Sequence, residues 1–111
     1  MMEQLEFSSP VTFRGSVGVG TPVLPQKAGR LTLVRFLAFR NAGASSATVT
    51  VSIGGTDFMG VQVPAGQTVR VSEIEGALVE AGDSVVVSTS ASGVSAFFWG
   101  VQVVGNARWV L

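Results

Sequence analysis

From Leu31 to Val103 the chain repeats one device. Short runs in which apolar residues occupy every second position are separated by turns rich in Gly, Pro, Asn and Ser. Alternation with a period of two is what a half-buried strand requires, because successive side chains point to opposite faces of a sheet. No segment sustains the 3.6-residue period of an amphipathic helix. Turn signals recur about every 8 to 12 residues, the spacing expected of sandwiches and barrels. The sequence therefore predicts an all-β fold, a single antiparallel β-sandwich of about seven or eight strands, Ig-like or jelly-roll in topology.

The richest stretch runs from Leu78 to Val103. Val85 and Val87 fall on one face of its first strand, with Val86 and Ser88 on the other. Ser90-Ala91-Ser92-Gly93 supplies small, φ-permissive residues, and the pattern is that of a hairpin. The second strand sets Val94, Ala96 and Phe98 against Ser95, Phe97, Trp99, Val101 and Val103. Leu31 to Asn41 is apolar on both faces, as a central strand would be. Leu31, Leu33, Leu37 and Phe39 share one face, interrupted by Arg35, which must find a partner or reach solvent. Ala47 to Ile53 puts Val49, Val51 and Ile53 inward, Gly54-Gly55 turns the chain, and Met59, Val61 and Val63 face inward on the next strand. Thr68 to Ser72 forms another, with Val69 and Val71 inward. Two turns, Pro64-Ala65-Gly66-Gln67 and Glu80-Ala81-Gly82-Asp83, share an x-Ala-Gly-polar form.

Residues 1–29 are less regular and are expected to form an extended N-terminal arm or edge strands, with the sandwich proper spanning 30–111. Leu5, Phe7, Val11 and Phe13 alternate, Pro10 points to an edge, and Pro22 and Pro25 bracket an extended segment. Charged residues make up only 13% of the 111 residues, about half the usual share of a globular domain. A surface so poor in charge tends to associate. The apolar residues Leu5, Phe7, Val23, Leu24, Trp109, Val110 and Leu111 are the candidate interface residues, through which the arm and the tail would dock on neighbouring subunits.

Net charge is zero, and the seven basic residues are scattered along the chain without a basic run, so no nucleic-acid partner is expected. No apolar stretch of about 18 residues or more is present, so no membrane partner is expected, and the first residues lack a signal-peptide pattern.

The chain holds no His, Cys or Tyr, which removes the commonest general base, the soft metal ligands and the phenol acid. A Ser–Lys dyad would depend on Lys27, the only lysine, in a Pro/Gly-bounded loop. Glu73 and Glu75, two apart on a strand, would lie side by side and not face each other across a cleft. With Asp83 they lack the ligand density of a calcium loop. The Gly15–Gly20 segment is glycine-rich but has no Gly-Lys-Ser/Thr ending. Phe97, Phe98 and Trp99 alternate faces, so the three cannot form one sugar-stacking platform. No catalytic residue, cofactor or metal site is expected.

Three segments, LTLVRFLAFRNAGASSATVTVSIGG, VQVPAGQTVRVS and LVEAGDSVVVSTSASGVSAFFWGVQV, carry a resemblance. A strand ending in Asn, a small-residue turn, a Thr/Val strand, a Pro-Ala-Gly-Gln turn and a hydrophobic-Glu-Ala-Gly-Asp segment together resemble small β-sandwich virion proteins of tailed bacteriophages. The resemblance implies a non-enzymatic structural protein of the virion, assembled in the host bacterial cytoplasm. It would be a capsid accessory protein of the decoration, cement or spike-base type that self-associates into a homo-oligomer and binds other virion proteins on the assembled head. A tail or fibre-base component is the alternative within that class, and a carbohydrate-binding module the alternative outside it.

Overall fold

The computed structural model describes residues 6–24 and 31–104, the side chains of the strand residues 6–9, 103 and 104 excepted. Nine strands fill it: β1 (Glu6–Ser16), β2 (Thr21–Leu24), β3 (Thr32–Asn41), β4 (Ala47–Ile53), β5 (Thr56–Val63), β6 (Thr68–Arg70), β7 (Leu78–Val79), β8 (Val85–Ser88) and β9 (Val94–Val104). A 3-10 turn, Ser72–Ile74, lies between β6 and β7. The strands form two antiparallel sheets packed face to face. One has the order β1-β9-β3-β6, with β7 also paired to β3, and the other has the order β2-β8-β4-β5. All-β and sandwich, as the period of two demands, both hold.

The core is the shared inner face. Val34, Leu37 and Phe39 of β3, Val49 and Val51 of β4, Val63 of β5, Val85 and Val87 of β8 and Ala96 of β9 have no exposed surface, and Phe98 is 2% exposed. At about 25 cal/mol per Å² of apolar surface removed from water, this burial is the main source of stability in a chain without disulfides. The inward residues Val49 and Val51 of β4, Val61 and Val63 of β5, Val85 and Val87 of β8, and Val94, Ala96 and Phe98 of β9 are all buried, as the alternation predicts.

Three expectations give way. The Leu78–Val103 stretch is not a hairpin. β8 pairs with β2 and β4, whereas β9 pairs with β1 and β3, so Ser90–Gly93 carries the chain from one sheet to the other. The crossing is held by Thr89 N–H on Gly18 O (3.1 Å) and Ala42 N–H on Gly93 O (2.9 Å). A strand with one buried face reads the same whether its sequence neighbour lies beside it or across the core.

In β3 the register with β9 shifts between Val34, opposite Gly100, and Phe36, opposite Trp99. Arg35 is the extra residue of a β-bulge, which reverses the parity of the strand. Thr32 and Val34 face inward before it, and Leu37, Phe39 and Asn41 after it, so Leu33 does not share a face with Leu37. The bulge is also how the charge escapes burial, since Arg35 is exposed.

Val23 and Leu24, expected at an interface, are 3% and 4% exposed in the protein's own core. β2 pairs with β8, and Val23 and Leu24 belong to the main hydrophobic cluster. β1 and β2 are edge strands, one on each sheet, and belong to the same sandwich as the rest.

The twin turns are alike in space. Gln67 N–H reaches Pro64 O and Asp83 N–H reaches Glu80 O, both at 3.0 Å, with Gly66 and Gly82 at φ 73° and 89°. Only glycine adopts that region without strain. Gly66→Ala and Gly82→Ala should each lower the unfolding free energy by about 1 kcal/mol in urea melts, although neither meets an atom within 4 Å.

Candidate functional site: the outer face of the five-stranded sheet

The register assembles a lattice of side chains on the outer face of this sheet. One row across β1, β9, β3 and β6 reads Arg14, Phe97, Ala38, Arg70. The next reads Thr12, Trp99, Phe36. Beyond it come Pro10, Val101, Leu33 and Leu78, and on the other side Ser16, Ser95, Arg40 and Thr68. An apolar stripe thus runs from Phe97 through Trp99 and Phe36 to Leu33 and Leu78. Trp99 is 42% exposed and Leu78 58%. Thr12, Arg14, Phe36, Phe97 and Trp99, with Phe13 and Phe98, line an open groove of about 640 Å³.

Arginines rim the stripe. The Arg35 guanidinium lies 5.8 Å from the centroid of the Trp99 ring, and that of Arg70 lies 5.7 Å from the Phe36 ring. Such contacts orient the cation and ring together and add about 0.5–1 kcal/mol each at exposed sites. Arg40 Nη1 donates to Gly66 O (3.2 Å) and Thr68 Oγ1 (3.4 Å). Arg70 is also forked onto Glu75, with Nε on Oε2 at 2.6 Å and Nη2 on Oε1 at 2.7 Å. Those hydrogen bonds, with the attraction between the charges, hold the Glu75 carboxyl below its usual range against partial desolvation. The small stabilisation this solvent-screened pair supplies is present above the unfolded carboxylate pKa and is lost as pH falls through the lower folded value.

The arginines of the described residues, scattered in sequence, are therefore not scattered in space. All four arginines among the described residues lie on this one face, because Arg14, Arg40 and Arg70 sit at outward positions of β1, β3 and β6 and the bulge turns Arg35 toward Trp99. The groove offers hydrogen-bond donors and aromatic surface, and no carboxylate lines it. Its chemistry suits a partner with apolar or aromatic groups flanked by negative charge.

Of the residues expected at an interface, Leu5, Trp109, Val110 and Leu111 lie outside the described residues. Phe7 is a β1 residue paired with Val103. Phe36, Leu78 and the arginines were not among those candidates. Their signal is weak in sequence, since Phe36 becomes a neighbour of Trp99 only through the bulge. Phe98 is core, whereas Phe97 and Trp99 are joined by Phe36 on one outer face, so three aromatics do share a platform, though not the three consecutive ones. Glu73 is exposed and Glu75 is bound to Arg70, so the two do not act as a pair. Among the described residues no group of three or more carboxylates is placed to hold a metal ion, and no helix is long and apolar enough to cross a membrane.

Fold and face together define an antiparallel β-sandwich with an arginine-rimmed aromatic surface. Comparison with protein-family models and with curated proteins finds no match to this chain.

Proposed function

We propose that the protein is a non-enzymatic structural component of a tailed-phage virion, a capsid accessory protein that self-associates and binds the assembled head through its β-sandwich surface. The observation that carries the docking role is the outer face of the five-stranded sheet, which is left open among the described residues. Trp99 and Leu78 stand exposed on a stripe continuous with Phe97, Phe36 and Leu33, in a chain with few charges elsewhere to keep it apart from its neighbours. Exposed Trp and Arg on a rigid sheet are the residues from which interface hot spots are most often built. The virion assignment rests on the turn and strand patterning of 31–103. A tail or fibre-base position uses the same surface in the same way.

The carbohydrate-binding reading gains one observation, the clustering of Phe36, Phe97 and Trp99. The groove lacks the Asn, Asp, Glu and Gln side chains that usually bond sugar hydroxyls, which favours a protein partner.

Sedimentation of the purified protein at micromolar concentration tests self-association, and immunogold labelling of phage particles tests incorporation. A discrete oligomer and labelled heads are the expected results. A monomer bound to a glycan array, with unlabelled particles, would replace this reading with the carbohydrate-binding one.

A further inference from the structure

The exposed aromatic at the opposite end of the chemistry is Phe58. It is the unpaired residue of a second β-bulge, where Val51 faces Met59 and Ser52 faces Asp57, and it is 44% exposed on β5, the edge of the four-stranded sheet. Carboxylates lie next to it in the chain and on a turn joined to its hairpin. Asp57 precedes it and accepts from Ser52 Oγ at 2.8 Å. The Glu80–Asp83 turn is tied to the β4–β5 turn by Gly54 N–H on Ser84 O (2.9 Å), and the Asp83 carboxyl lies against Gly54. Asp57, Glu80 and Asp83 are all exposed. The β4–β5 hairpin thus carries an exposed aromatic knob, with carboxylates on the same hairpin and on the turn joined to it, whereas the outer face of the other sheet is an aromatic groove flanked by positive charge.

We propose that the two are partners in different copies: Phe58 of one molecule seats in the groove of Phe36, Phe97 and Trp99 of a second, with Asp57 and Asp83 beside Arg14 and Arg35. This deepens the self-association proposed above and rests on it. The knob and groove lie on opposite sheets, so no molecule can fill its own groove. Two grooves placed face to face would oppose arginine to arginine, which charge repulsion disfavours. The groove volume of about 640 Å³ is ample for a phenyl ring and its neighbouring carboxylate. The contact joins unlike patches, the arrangement from which closed rings are built when the rotation closes.

The test uses Phe58→Ala and Trp99→Ala, two exposed positions outside the core, with circular dichroism to verify folding. Each variant alone should associate at least about 30-fold more weakly than the wild type, the usual effect of losing a hot-spot aromatic. Mixed together they should form a one-to-one dimer, because one retains the knob and the other the groove, and raising the salt concentration should weaken it. A wild type that stays monomeric overturns self-association itself. A wild-type oligomer unaffected by Phe58→Ala, or a mixture that stays monomeric while the wild type assembles, overturns only the knob-in-groove contact.

Discussion

Replacing Asn41 with aspartate should remove about 3 to 5 kcal/mol of stability, read as a lower urea midpoint with an unchanged slope. Asn41 is 1% exposed at the end of β3, and its side chain makes three hydrogen bonds. Nδ2 donates to Ser45 O (2.7 Å) and Val63 O (3.0 Å), and Oδ1 accepts from Gly43 N–H (2.9 Å). Its backbone N–H reaches Gln67 O at 3.0 Å, and its carbonyl receives Gly66 N–H at 2.8 Å. The one residue therefore joins the end of β3, the β3–β4 loop, the end of β5 and the following turn. A carboxylate of the same shape would set an unprotonated oxygen against two carbonyl oxygens in a buried site. Asn41→Leu, which loses all three side-chain bonds but adds no charge, should lose about 2 to 3 kcal/mol. An aspartate variant within 1 kcal/mol of the wild type would show that the loop can supply the missing donors from elsewhere.

Gly100→Val is expected to leave little folded protein, and Gly100→Ala to lose about 2 to 3 kcal/mol. A Cβ at Gly100 would lie 2.8 Å from Leu33 O and 3.1 Å from Thr32 Cγ2. Gly100 sits in β9 opposite both Val11 of β1 and Val34 of β3, so the strand has no free side toward which to move. The close approach occurs immediately before the bulge at Arg35, where β3 changes parity. A larger residue would push β3 away at the point that lets Arg35 reach Trp99. Gly60→Ala is the control, since that glycine is exposed, has an ordinary φ and meets nothing within 4 Å. It should remain within about 0.5 kcal/mol of the wild type. Equal losses at the two positions would mean that strand entropy, and not the contact with Leu33, governs both.

The proposed docking surface was only partly legible in the chain. Trp99 and Phe97 could be assigned to one face of a strand and Phe98 to the other, because alternation is a local property. Arg14, Arg35, Arg40 and Arg70 looked dispersed, because sequence distance says nothing about which outward positions line up once strands pair. For Val23 and Leu24 an arm reaching to a neighbour and a segment packed on its own domain are both open in the chain, since an apolar extended segment between prolines reads the same as an inner edge strand. Alternation with Met59, Val61 and Val63 places Phe58 on the outward side, but that it is unpaired follows only from the shift of one residue between β4 and β5.

What the sequence by itself determined is the class of fold, the inner face of most strands and the chemistry of the turns. Each of these depends on side-chain period or on backbone conformations that a few adjacent residues dictate. Tertiary structure alone decided which strand lies beside which, where the parity of β3 and β5 reverses, and which charges meet which rings. Strand pairing joins residues far apart in the chain, and a one-residue bulge moves every later side chain to the opposite face. The arginine-rimmed groove and the Phe58 knob are products of that register, and no short segment of the chain contains either one.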